Sequence, residues 1–385
     1  MTKLKIIFLL TICISFCLLS SCRRVEKKQS QTKETIRVGV FDKNGDSPWC
    51  ITDALEALHI DPNIKAEVIR ASQIMSGELD GFDAIVFPGG SGRGETQSMG
   101  ELGMEKLVKM VKEQGKAVVG ICAGAYIMTE TPDYPSLALN GCEAIDIEHD
   151  HRGHGLSKFS LTKEGQEIFP ELKDRKISFC QYYEGPVLVP AKSGAKFIEL
   201  ATMLSDVHTV EDSPAYMTNK RPFVVAAQVG IGRVASFVGH PECTPGMRWM
   251  LPRMVRWTCN KELISYPKNV VRPDFFKNEI IYTKEINDLQ TKYQKQLSGT
   301  KAEKLEGIEK VIELACWSSK KWIPGLLRDK NAMVRVKASW ALIQLERTDA
   351  IPDLEAAVMT ENDKNIKIQL KKNLKALKAI LGTNS

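Results

Sequence analysis

The stretch Lys116–Tyr126, KAVVGICAGAY, constrains the fold of this chain more than any other. KAVVGI is a short run of β-branched and small apolar residues, as expected of a buried strand, and it runs without a polar break into Cys122. Glycines stand two residues before and two after that cysteine, in Gly120-Ile121-Cys122-Ala123-Gly124. In a sharp strand-to-helix turn, side chains at those two places collide with neighbouring backbone. G-x-C-x-G is therefore the pattern of a nucleophile elbow with cysteine in place of serine. Such a turn holds the thiol above a sheet at a helix N-terminus, where the dipole favours a thiolate. The competing reading is a buried thiol that only fills core, a common fate of free cysteine.

The surrounding segments agree with that turn. IRVGVF, KAEVIRA and FDAIVFPGG read as strands, and CITDALEALHI and GELGMEKLVKMVKEQG as helices, the second stopped by Gly115. Alternation at these lengths predicts an α/β fold with a flavodoxin-like, doubly wound parallel sheet. After about residue 140 the chain becomes more strand-rich, and RWMLPRMVRWTC closes this domain as a helix. The domain is expected over 36–262, with a polar, helical connector over 263–300.

Two further features share the elbow's chemistry. Phe87–Gly94, FPGGSGRG, ends the preceding strand in glycines whose backbone N–H groups, with that of Ala123, suit an oxyanion hole. The loop lacks the Gly-Lys-Ser/Thr of a phosphate-binding P-loop. Far downstream, SFVGHPECTPG supplies His240 and Glu242 just after an apolar strand: an imidazole to deprotonate the thiol and a carboxylate to orient it. Cys243 lies close by in sequence, either near the site or simply buried.

PGGSG, GICAGAY, QYYEGPV and GHPE together resemble the class I glutamine amidotransferase-like superfamily, and within it most closely the biotin–protein ligase N-terminal domain family. The resemblance spans about residues 36 to 260. It implies Cys122 as nucleophile, His240 as base and Glu242 as its orienter, with Gly89, Gly90 and Ala123 at the oxyanion site. Tyr126 stands where glutaminases of the superfamily carry a glutamine, and Tyr182, Tyr183 and Glu184 replace their second substrate-binding segment. These residues form an aromatic, acidic wall. No synthetase or biotin ligase domain follows. The resemblance thus implies a hydrolase of an amide or peptide-like bond working through a thioester, without a cofactor, rather than a glutaminase. The alternative is an inactive binding or scaffold protein that keeps a small ligand in the same pocket.

The two ends of the chain carry other expectations. MTKLKIIFLLTICISFCLLSSC has a basic start, an apolar run from Ile6 to Leu19 and small residues before Cys22. It is a secretory signal, too short for a spanning helix. Leu19-Ser20-Ser21-Cys22 resembles the lipobox of bacterial lipoproteins, which implies cleavage after 21, acylation of Cys22 and a membrane anchor. The expected location is the cell envelope, lipid-anchored, most simply at the outer membrane. Residues 22–35 read as a tether. Once Lys3 and Lys5 leave, the net charge drops from +6 to +4, too little to indicate nucleic acid. Ten cysteines include Cys13, Cys17 and Cys22; the other seven are scattered without CxxC spacing, which excludes a disulfide framework or zinc ribbon.

At the far end, over 301–385, Ile323-Pro324 recurs as Ile351-Pro352, each opening a helix, an Asp/Asn turn and a helix. That layout resembles HEAT-type repeats and implies a protein partner. Finally, EHDHRGHG gathers His149, His151 and His154 beside Glu148 and Asp150. Its spacing is no recognised ligand pattern, so it reads as a charged loop or substrate-facing rim, with no metal expected.

Overall fold

The computed structural model describes residues 35–43 and 47–382. The expected signal, most of the tether and the Cys22 lipid site lie outside the described residues, within which no helix is long and apolar enough to cross a membrane. In chain order the α/β part opens with β1 (Ile36–Asp42), α1 (Pro48–Leu58), β2 (Ile64–Arg70), α2 (Ala71–Ser76), β3 (Ala84–Phe87), α3 (Gly92–Gln114), β4 (Ala117–Ile121) and α4 (Ala123–Ile127). It continues with β5 (Cys142–Ala144), β6 (His154–Leu161), α5 (Lys163–Ile168), β7 (Ser178–Tyr183), β8 (Leu188–Pro190), β9 (Ile198–Met203), β10 (Pro222–Val229), β11 (Gly232–Phe237) and α6 (Met250–Thr258).

The main sheet is mixed, where the alternation of strands and helices suggested a doubly wound parallel one. Its parallel half runs β2-β1-β3-β4-β11, and beyond β11 the order continues β10-β9-β6 with antiparallel pairing. The reason lies in the connections. Helices join the first four strands, whereas β10 and β11 are joined by the two residues Gly230 and Ile231, a hairpin that only antiparallel strands permit. Side chains alternate between two cores: Ala84, Val86, Ala117 and Val119 face one, Ile85, Phe87 and Val118 the other. Helices α1 and α6 cover the first core and α3 the second, so the parallel half is covered on both faces.

The C-terminal part is helical: α7 (Lys284–Gln296), α8 (Lys301–Glu313), α9 (Ala332–Gln344), α10 (Ile351–Thr360) and α11 (Lys364–Lys378). The two Ile-Pro copies differ, because Pro324–Arg328 makes a 3-10 turn where Ile351–Thr360 makes an α-helix. This part is built onto the sheet domain. Ile280–Ile281, within the expected connector, forms a short strand β12 paired with β6. Ile308, Val311, Leu342 and Leu354 belong to the same apolar core as α1 and α6. Buried polar bonds cross the junction: Thr348 Oγ1 to Glu56 at 3.0 Å, Gly246 N–H to Glu346 at 2.9 Å, and Lys320 to Asp53. Breaking one partner of such a buried pair strands a charge, so these bonds hold the junction in one register.

Candidate active site

Three neighbouring parallel strands end at one level. In register, Phe87 of β3 lies beside Gly120 of β4, and Ile121 of β4 beside Phe237 of β11. The loops that follow therefore emerge together at the carboxyl edge of the sheet, where open α/β sheets bind ligands. Those loops carry Gly89 and Gly90, Cys122, and His240 with Glu242. Register thus converts residues 89, 122 and 240 into one site.

Cys122 occupies the turn between β4 and α4 with φ 52° and ψ −104°, an L-residue in the left-handed half of the map. Such a conformation costs on the order of 1–3 kcal/mol and persists only where its surroundings over-determine it. Here they do. Cys122 N–H donates to Phe237 O at 2.9 Å, and Cys122 O accepts from Ala125 N–H at 2.9 Å. A Cβ at Gly120 would overlap the Gly124 carbonyl, and one at Gly124 would overlap the Phe87 carbonyl. Both glycines are therefore steric requirements of the turn. The thiol is 7% exposed and donates to Tyr183 O at 3.2 Å.

His240 and Glu242 are buried, and His240 Nδ1 meets Glu242 Oε1 at 2.7 Å. His240 N–H donates to Gln181 O, and Thr244 Oγ1 donates to His240 O, so backbone bonds hold the residue on both sides. With Nδ1 engaged, the other ring nitrogen, Nε2, is buried without a hydrogen-bond partner. Burial alone would lower the imidazole pKa. The Glu242 carboxylate and the Cys122 sulfur outweigh it and raise the value to about 10. His240, Glu242 and Cys243 also come within metal-ligand spacing of one another, but the first two already bond each other.

On the other side of Cys122, Gly89 packs against the His240 ring and Gly90 adopts φ 125°. Lys43 Nζ donates to Gly89 O at 3.2 Å. Across a trans peptide the Gly90 N–H points opposite to that carbonyl, so Lys43 helps set its direction. Ala123 opens helix α4, where first-turn N–H groups have no intrahelical acceptor.

The three residues of the expected aromatic, acidic wall divide, and Tyr126 joins two of them. Tyr183, Glu184 and Tyr126 line the cavity in front of Cys122; Tyr182 does not. Tyr182 is buried in a network in which Arg152 donates to its hydroxyl, to Gly185 O and to Asp146 at 2.5 Å, while Tyr126 Oη donates to the same Asp146. Asp146 also accepts from Val187 N–H at 2.9 Å. Burial, with the adjacent Asp146 carboxylate, raises the Tyr126 phenol and keeps it a neutral donor. His154 stacks on Tyr183 with ring centroids 4.2 Å apart, and Glu184 lies between His154 and His151 at 3.6 and 3.8 Å. His151 is 85% exposed at the rim. Arg152 of the histidine-rich stretch is buried against Asp146, which lies just before it, and sequence reasoning passed over both in favour of the histidines.

The cavity has a volume of about 630 Å³. One of its walls comes from the C-terminal part: Trp317, Ser318, Lys320 and Lys321. The Trp317 ring meets His240 edge-on, centroids 4.8 Å apart, and Tyr183 at 5.8 Å. Trp49, Cys50 and Tyr134 complete the lining nearer the N-terminal half. No local pattern around Trp317 marks it, because its role arises from a fold-back of about 200 residues beyond the elbow.

No protein-family model matches the chain. Among known proteins, the chain is 28% identical over 176 residues to the pyridoxal 5'-phosphate synthase subunit PdxT of Listeria monocytogenes, covering 46% of this chain and 79% of that one. To the CTP synthase of Thermosipho africanus it is 30% identical over 102 residues, 25% of this chain and 18% of that one. These distant relatives point to a class I glutamine amidotransferase-like fold. Among solved structures, the glutaminase domain of Trypanosoma brucei CTPS aligns with 61% of this chain and 97% of its own at 12% identity and a TM-score of 0.40. A ThuA-like protein of Parabacteroides merdae aligns with 61% and 94% at 12% identity and a TM-score of 0.43.

Proposed function

We propose that this protein is a cysteine hydrolase of amide or peptide-like bonds that works through a thioester on Cys122, with His240 as proton carrier and Glu242 holding the imidazole. The observation that carries this reading is the strained elbow at Cys122 beside a buried His240–Glu242 pair whose Nε2 has no other partner. The reacting pair is thiolate and imidazolium, the proton resting on His240 Nε2, and the sulfur attacks the amide carbonyl carbon. The oxyanion forms against the N–H groups of Gly90 and Ala123. Its collapse breaks the C–N bond, and the imidazolium gives its Nε2 proton to the departing amine, leaving an acyl thioester. Water then yields one proton to Nε2 and adds as hydroxide. The C–S bond breaks, a carboxylic acid departs, and the thiolate–imidazolium pair is restored. Glu242 matters at both stages, because it stabilises the imidazolium and fixes which nitrogen faces the sulfur.

Acid-quenched mass spectrometry on a panel of amides tests this directly. An acyl adduct on Cys122 with matching amine release supports the reading. Amine release that survives Cys122→Ala overturns it.

A second reading, a silent binding protein, has one observation in its favour: the Lys43 and Ser47 side chains fill the loop at Gly90, where a Cβ would stand. In that case Cys122→Ser leaves ligand affinity intact and no amide is turned over. The proposal further sets the protein in the bacterial cell envelope, anchored by acylation of Cys22, with residues 301–385 as HEAT-like repeats facing a protein partner. Incorporation of labelled palmitate, abolished by Cys22→Ala, tests the anchor.

A further inference from the structure

The wall that Trp317 contributes lies in a segment held in place as firmly as the elbow itself. Ala315, two residues upstream, has φ 51°, the left-handed region that an alanine seldom occupies. Its carbonyl accepts from Gln181 Nε2 at 2.9 Å and from the Tyr282 hydroxyl, both buried. Gln181 is the same residue whose carbonyl receives the His240 N–H. Downstream, Lys320 lies over the Trp317 ring at 5.0 Å and is fastened to Asp53 of α1. Trp317 is thus pinned from both sides, against the catalytic histidine on one edge and the cavity on another. The left-handed backbone of Ala315 closes helix α8 as a Schellman cap, with Cys316 N–H donating to Val311 O and Ala315 N–H to Ile312 O, and so sets where the chain leaves the helix towards Trp317.

The space this wall encloses is large for the smallest substrate of such chemistry. About 630 Å³ falls among pockets that surround drug-sized ligands, roughly 300–1,000 Å³. A single amino-acid amide would leave most of it to water. Four aromatic side chains, Trp49, Tyr134, Tyr183 and Trp317, line the cavity. Their apolar area is realised only by a ligand that extends well beyond the reacting carbonyl.

We propose that Trp317 is a specificity-determining residue and that the site takes a carboxamide borne on a peptide, not a free amino-acid amide. The inference rests on the thioester reading above. Trp317 contacts the part of the peptide flanking the amide and keeps water from the outer edge of His240. The C-terminal helical part is therefore a component of the active site as well as an appended module.

Three thiol-directed probes separate this inference from the reading beneath it: iodoacetamide, a chloroketone analogue of glutamine, and the same chloroketone on the side chain of a tripeptide with an aromatic neighbour. Labelling of Cys122 is followed by mass spectrometry in the full chain. In wild type the tripeptide probe is expected to react at least about tenfold faster than the glutamine probe, the size of effect a buried tryptophan contributes at an interface. Trp317→Ala should bring that ratio near one and Trp317→Phe should retain most of it; because both probes are compared within each variant, any change in thiol reactivity, read from iodoacetamide, divides out of the ratio. A wild-type ratio at or below one overturns the inference, whether or not the alanine variant folds, and so does a ratio unchanged in Trp317→Ala. In either case fast iodoacetamide labelling leaves the thioester reading standing. If Cys122 reacts with iodoacetamide only as an ordinary thiol, that reading fails and the inference falls with it.

Discussion

Two left-handed turns lead into the cavity walls and differ in almost every other respect. Cys122 at φ 52° and Ala315 at φ 51° both hold L-residues in left-handed backbone, and buried hydrogen bonds fasten both. The elbow is made by steric exclusion: two glycines allow strand, turn and helix to pass within a backbone diameter. The Trp317 wall is made by recruitment: donors from β7 and from Tyr282 reach across to capture one carbonyl. An elbow leaves its mark in adjacent residues, and a recruited wall leaves its mark only in three dimensions.

Substitutions at glycine break the comparison most sharply. Gly124→Ala drives a methyl into the Phe87 carbonyl, which is backbone and cannot turn aside, so a loss of stability of about 3 kcal/mol or more is expected. Gly325→Ala, in the turn just beyond the wall, meets nothing within 4 Å and should change the denaturation midpoint very little. Equal midpoints for the two variants would show that the elbow is not sterically closed.

A smaller effect, dependent on pH, comes from Glu242→Gln. The Glu242 carboxylate holds the His240 pKa up at about 10, against roughly 6.5 for an unperturbed imidazole. A base whose folded pKa is raised contributes stability in full below the unfolded value, and loses it as pH rises through the folded one. The gap between wild type and variant should therefore be widest below about pH 6.5 and close as pH approaches 10. A gap that widens with pH would place a neutral imidazole in the resting site.

The smallest effect is a gain. Ala315→Gly relieves left-handed strain and should raise stability by about 1 kcal/mol, measured by chemical denaturation. A loss of similar size would mean that the methyl packs more than the backbone strains.

These differences explain what the sequence disclosed. The elbow, the Gly89–Gly90 loop and the His240–Glu242 pair were legible because each is a local pattern whose spacing follows from the end of a strand. The parallel half was legible because strands and helices alternate there. The antiparallel half was not, since hairpin strands such as β10 and β11 read as the same apolar runs. Residues that act at long range escaped. Arg152 sits in a stretch whose histidines draw the eye and Asp146 just before it, yet those two are buried together while His151 faces solvent. Trp317 stands among lysines and serines in a segment whose repeat pattern suggested a separate module, and only the fold-back onto β7 brings it to His240.

The central claim is that Cys122 is a nucleophile served by His240. The rate of iodoacetamide labelling at each of the seven described cysteines, resolved by mass spectrometry at neutral pH, tests it most directly. Burial raises the thiols of Cys50, Cys142, Cys180, Cys243 and Cys259 and should leave them slow. Cys122 should label first, and His240→Ala should slow it by about tenfold or more. Labelling of Cys122 at the rate of an ordinary thiol, the same in wild type and His240→Ala, would contradict the account.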